Sequence, residues 1–183
     1  MAKITIDKSQ IEKIKAGSLK AFASMLTLLE KPVFGYVFGM VGHKETAEDL
    51  TQEVFIKVFK NRQSIEPEKD LTAWIYKIAA NTVRDHWRRQ NREKLDFIID
   101  DENINFETFE AELSYNIIQR LESTLDIAGL LANIREEYRE VLILYYYNGY
   151  SYDEISRILA IPLGTVKTYL YRAKQELKKA LNI

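Results

Sequence analysis

Ser151–Leu181 reads SYDEISRILAIPLGTVKTYLYRAKQELKKAL, and its spacing decides the fold of the C-terminal part of the chain. Ser151 stands three residues ahead of Glu154, the spacing of a capping box, so a short helix is expected to start there. Ala160-Ile161-Pro162-Leu163 interrupts it, and Pro162, tolerated in a first helical turn, opens a second helix running to about Leu181. In that helix Leu163, Val166, Leu170, Ala173, Leu177 and Leu181 recur at steps of three and four and line one stripe to be buried. The opposite stripe is Thr168, Tyr171, Arg172, Gln175 and Lys179, with Lys167, Lys174 and Lys178 alongside. Two such helices joined by a tight turn are a helix-turn-helix. Cations for phosphates, with Thr, Tyr and Arg for base edges, are what a major-groove helix needs, although any amphipathic surface helix also shows a lysine-rich face.

Outward from this segment the helical period persists. One helix is expected over about Leu130–Tyr147, ending at the Asn148-Gly149 break, with Tyr145, Tyr146 and Tyr147 as inter-helix packing. Upstream, helices are expected from Ser18 to about Val41, from near Thr46 after the Gly42-His43 break, and from near Asp70 to roughly Arg92. Strand-like alternation is confined to Lys3–Ile6, so the fold class is all-α.

Charge divides the chain further. Residues 1–94 carry 17 basic and 12 acidic side chains, 95–127 carry one and nine, and 128–183 carry eight and six. Two small helical domains, 1–94 and 128–183, are therefore expected on either side of an acidic connector, 95–127, the second holding the helix-turn-helix. Basic modules can meet a polyanion; an acidic connector cannot.

Two faces in the first module stand out. On the helix from Asp70, Lys77, Asn81, Arg84 and Arg88 form one basic stripe, with His86, Trp87, Arg89 and Arg92 toward its end, while Trp74 is assigned to the core beside Ile75 and Ile78. Cations mixed with amide and aromatic groups suit single-stranded nucleic acid, and equally an ordinary solvated face. On the helix from Thr46, Ala47, Leu50, Val54, Phe55, Val58 and Phe59 are the apolar stripe, and Asp49, Gln52, Glu53 and Ile56 share another. That second stripe reads either as solvated surface or as a protein-docking patch with Ile56 as apolar anchor.

Several classes are excluded. There is no cysteine and only His43 and His86, so disulfides, thiol chemistry, a zinc site and a Ser-His-Asp triad lack their parts. No phosphate-binding glycine loop or paired catalytic carboxylates occur, so no cofactor, metal or enzymatic activity is expected. The most apolar window, Val33–Val41, is far short of the roughly 20 residues that span a bilayer, and Met1–Gly17 lacks the apolar core of a secretory signal, which places the chain in the cytoplasm.

Taken together, AEDLTQEVFIKVF (Ala47–Phe59), LTAWIYKIAANTVRDHWRR (Leu71–Arg89) and REEYREVLILYYYNGYSYDEISRILAIPLGTVKTYLYRAKQEL (Arg135–Leu177) resemble the extracytoplasmic-function (ECF) class of bacterial RNA polymerase sigma factors. The resemblance implies region 2 over roughly Ser18–Arg92 and region 4, a four-helix domain, over roughly Ala128–Leu181, tied by a flexible acidic linker. It implies that Asp49, Gln52 and Glu53, with Ile56 beside them, dock on the clamp helices of the polymerase's largest subunit. Asn81 and the Ser64–Leu71 loop would capture a flipped base of the minus-ten sequence, with Lys77, Arg84, Trp87 and Arg88 around them. Lys167, Thr168, Tyr171, Arg172 and Gln175 would meet the minus-thirty-five element. Core polymerase, promoter DNA and an anti-sigma factor, often membrane-tethered, are the implied partners. The chain departs from the pattern at Ala160, where the turn glycine is usual, at the loop SIEPEKDL, and at Tyr169, where Arg is frequent, so the family's promoter sequence does not carry over. The helix-turn-helix alone also fits a stand-alone regulator of the LuxR-like kind, and the helices alone fit a protein-binding module.

Overall fold

The computed structural model describes residues 4–90 and 127–181, and the chain divides into two compact units. The expected acidic linker, apart from its last residue, and Arg92 lie outside the described residues. Every regular element among the described residues is helical; the alternation ending at Ile6 forms no strand there, and Ile6 is instead buried in an irregular lead-in.

The first unit contains α1 (Lys8–Lys15), α2 (Leu19–Val41), α3 (Lys44–Lys60), a 3₁₀ turn at Arg62–Ser64 and α4 (Leu71–Gln90). The sequence reading did not anticipate α1. Asp7 caps it by accepting from Gln10 N at 2.9 Å, and Ile11 and Ile14 bury three residues apart. Ser18 caps α2, which ends at Gly42 in the left-handed conformation (φ 71°), where Gly42 N donates to Phe38 O. His43, expected in a loop, is the N-cap of α3 and accepts from Thr46 N at 3.5 Å, so α3 starts two residues earlier than its apolar period suggested. Asp70 accepts from Thr72 N, Thr72 Oγ1 and Ala73 N and starts α4. Helices α2, α3 and α4 pack on one another around Met25, Val33, Tyr36, Val54, Ile75 and Val83, with Tyr36 and Tyr76 meeting edge to face at 5.5 Å.

The second unit contains α5 (Ile127–Ala132), α6 (Glu136–Tyr146), α7 (Tyr152–Leu159) and α8 (Leu163–Ala180). The single helix expected over Leu130–Tyr147 is two. Asn133 Nδ2 donates back to Gly129 O at 2.9 Å, the chain turns, and buried Arg139 reaches from α6 to the carbonyls of Ala132 and Ile134. Those bonds satisfy the end of α5 and separate the two helices. The core is the facing surfaces of α6, α7 and α8, from Val141, Leu144, Ile155, Val166, Leu170 and Leu177. Tyr145 meets Tyr146 edge to face and Tyr152 at a tilt, each at about 5 Å, and Tyr150 is buried, while Tyr147 turns outward.

Candidate nucleic-acid interface

Local chemistry fixes the helix-turn-helix. Ser151 Oγ accepts from Glu154 N, and Glu154 Oε2 accepts from Ser151 N at 2.9 Å, a complete capping box for α7. At the other end Ala160 adopts the left-handed conformation (φ 56°, ψ 42°), the only non-glycine residue with positive φ among those described. Ser156 compensates: its hydroxyl donates to Ile161 O at 2.6 Å, and its carbonyl accepts from Ile161 N. Pro162 then caps α8 from outside rather than opening its first turn.

Helix α8 presents Lys167 to solvent, with Thr168, Tyr171, Arg172 and Gln175 half-exposed along the same side. Thr168 Oγ1 donates to Gly164 O at 3.0 Å, which leaves its lone pairs facing outward. Two sequence expectations change here. Leu163 is 38% exposed and does not join the buried stripe, because it precedes the first full turn. Lys174, placed beside the polar stripe, is 4% exposed, with its ammonium 5.7 Å from the centre of the Tyr146 ring.

Tyr169, where a cation had been expected, is a core residue packed on Tyr138 at 5.2 Å between ring centres. Tyr138, on α6, is buried, yet its hydroxyl is shared by two guanidiniums: Arg172 Nη1 donates at 3.1 Å and Arg135 Nη1 at 3.3 Å. Both also lie near its ring, at 6.0 and 5.7 Å. The Tyr138 bond raises the pKa of Arg135, and Arg135 N donates to Glu176 Oε2 at 2.9 Å, tying the start of α6 to α8. Arg172 thus projects from α8 against an aromatic shelf that no periodicity in α8 could reveal.

In the first unit Lys77, Asn81 and Arg88 are exposed on α4, and Arg84 is half-exposed beside Asn81 at 3.5 Å. Trp87 is half-exposed. Trp74 is half-exposed too, against its assignment to the core, because Leu71, Ile75, Ala79 and Val83 already fill the buried line of α4. On α3, Asp49 and Gln52 are exposed and Ile56 is 53% exposed, forming an acidic and apolar patch. Glu53 differs from these. Lys57 binds it at 2.8 Å and Arg89 of α4 lies 3.6 Å away, so its pKa is lowered, first by the Lys57 hydrogen bond. Lys57 also donates to Thr82 Oγ1 of α4 at 3.1 Å, making Glu53, Lys57 and Arg89 a polar seam between the α3 and α4 faces.

A helix-turn-helix in one unit, with an exposed basic stripe and an exposed acidic and apolar patch on the helices of the other, fits the class of DNA-binding helical factors. Residues 25–93 match the Sigma-70 region 2 family and residues 124–177 match the Sigma-70, region 4 family. The ECF RNA polymerase sigma factor SigW of Bacillus subtilis (strain 168) is 30% identical over 182 residues, covering 95% of this chain and 96% of SigW. The RNA polymerase sigma-H factor of Pseudomonas aeruginosa is 25% identical, covering 96% of this chain and 93% of that one. Two solved structures share the fold. One is sigma factor RpoE with the anti-sigma factor NepR from Bartonella quintana, with TM-score 0.68, 23% identity, and coverage of 90% of this chain and 99% of that one. The other is CnrH with the cytosolic domain of CnrY, with TM-score 0.70, 18% identity, and coverage of 96% and 97%.

The chain belongs to the ECF RNA polymerase sigma factors. It binds core RNA polymerase, directs it to promoters and helps open the DNA for initiation. Its family is one of initiation factors rather than enzymes. No helix among the described residues is long and apolar enough to cross a membrane.

Proposed function

We propose that the two units divide promoter recognition, with 1–94 acting as region 2, 95–127 as an acidic linker, and 128–183 as a four-helix region 4. Asp49, Gln52, Glu53 and Ile56 dock on the clamp helices of the polymerase's largest subunit. Lys77, Asn81, Arg84, Trp87 and Arg88 hold the melted minus-ten strand. Lys167, Thr168, Tyr171, Arg172 and Gln175 read the minus-thirty-five element. The observation that carries this reading is that the acidic patch on α3 and the basic stripe on α4 are both solvent-facing in one small unit, joined by the Glu53 seam. A stand-alone regulator has no use for the α3 patch. The protein works in the cytoplasm without cofactor or metal, and is not itself catalytic. The relatives solved with NepR and with the cytosolic domain of CnrY support an anti-sigma partner here, of the membrane-tethered or the free kind.

The test is run-off transcription with bacterial core polymerase and a pool of genomic promoter fragments. Discrete transcripts dependent on this protein are expected, and Asp49→Arg with Glu53→Arg is expected to abolish them together with co-elution on core polymerase. Retained co-elution would refute the docking assignment.

A further inference from the structure

The segment before Ser18 shows no functional motif, yet α1 is tied to the chain between α3 and α4. Half-buried Lys15 donates its ammonium to the Ile65 carbonyl at 2.9 Å, and Gln63 Nε2 returns a bond to the Lys15 carbonyl at 3.4 Å. At the surface Lys8 pairs with Glu68. Ile65 is buried, so the segment is pinned from inside by its side chain and from outside by Lys15. α1 is itself seated by Ile11 and Ile14, and Gln10 Nε2 donates to Ala21 O at 3.4 Å. Gly17, at φ +88°, turns the backbone close beside the Arg62 guanidinium; Arg62 in turn covers the Phe59 ring at 4.5 Å and donates to Phe59 O at 2.9 Å. Both ends of the Ile65–Asp70 stretch are therefore fixed, one through α1 and the other through the Asp70 cap of α4.

We infer that α1 is a positioning element for base recognition, with Lys15 setting the shape of the Ile65–Asp70 segment through the Ile65 carbonyl; this rests on the region 2 reading, in which the Ser64–Leu71 loop and Asn81 capture an extruded base of the minus-ten strand. A charge-assisted bond to a backbone carbonyl holds one loop geometry more firmly than a neutral one. A segment already in its binding geometry loses less conformational freedom when a base enters, so fixing it raises discrimination as well as affinity. Lys15 acts through Ile65 and touches no DNA, which separates it from the phosphate-binding cations.

The experiment uses the full chain with core polymerase and a pool of fork-junction DNA whose single-stranded minus-ten positions are randomised. The wild type is expected to enrich one base at the captured position. Lys15→Met should lower that enrichment about fivefold at that position alone, with core affinity and the salt dependence of DNA binding unchanged, and Lys15→Arg should restore most of it. Hydrogen exchange of the Ile65–Lys69 amides should quicken about tenfold in Lys15→Met. Unchanged base preference or unchanged exchange in Lys15→Met overturns the positioning role. Should that variant unfold, Gln63→Ala removes the return bond at an exposed position and carries the same two readouts. If Asn81→Ala leaves the preference intact, the base-capture reading fails instead.

Discussion

Tyr138 shows how a residue on α6 holds one on the exposed side of α8. Its buried hydroxyl accepts from Arg172 and Arg135, and its ring packs on Tyr169. Tyr138→Phe keeps the ring and removes the acceptor. It is expected to weaken binding to a promoter's upstream element by about 1 kcal/mol, less than the 1–3 kcal/mol of Arg172→Ala, with core polymerase binding unchanged; fluorescence anisotropy on labelled duplex checks both. Ala160 carries the opposite kind of signal. The exposed Ala160 methyl sits at φ 56°, a conformation glycine adopts without strain, so Ala160→Gly should raise stability by about 0.5–1 kcal/mol, read from urea unfolding.

At the scale of elements, a polar seam crosses from α3 to α4 beside their apolar packing. Glu53 is held by Lys57 along α3 and by Arg89 across to α4. Its pKa is lowered, so its contribution to stability is present above the unfolded carboxylate range near pH 4 and disappears as pH falls through the lower folded value. A third of the side chain remains exposed, so solvent screening holds the gain below about 1 kcal/mol. Glu53→Gln should therefore be slightly less stable than wild type in urea at pH 7, with the difference narrowing as pH falls through the acidic range. A gap that does not narrow as pH falls below the unfolded carboxylate range would mean that packing, rather than charge, accounts for it. Among these elements α8 was the most legible in sequence, because its amphipathic period runs nearly unbroken from Val166 to Leu177. Helix α1 was illegible: Ile11 and Ile14 make too short an apolar stripe to announce a helix that the rest of the unit stabilises.

For the whole molecule, two DNA-contacting modules should make promoter association strongly dependent on salt. Raising salt from 50 to 200 mM is expected to weaken promoter DNA binding by about 10²-fold or more, because several phosphate contacts release counterions together. If core polymerase is bound through the proposed patch around Ile56, that binding should change less, and parallel titrations compare the two. The sequence by itself determined the helical class, the two modules, the helix-turn-helix and the polar faces of α3, α4 and α8, since each follows from periodicity, caps and charge over short stretches of chain. Tertiary structure alone decided that Tyr169 and Lys174 turn inward, that Trp74 stays at the surface, that Leu130–Tyr147 breaks into two helices, and that Arg172 rests on Tyr138. Each of those outcomes depends on which side chain from a distant segment fills or vacates the space beside it, and helical period along one segment contains no record of that neighbour.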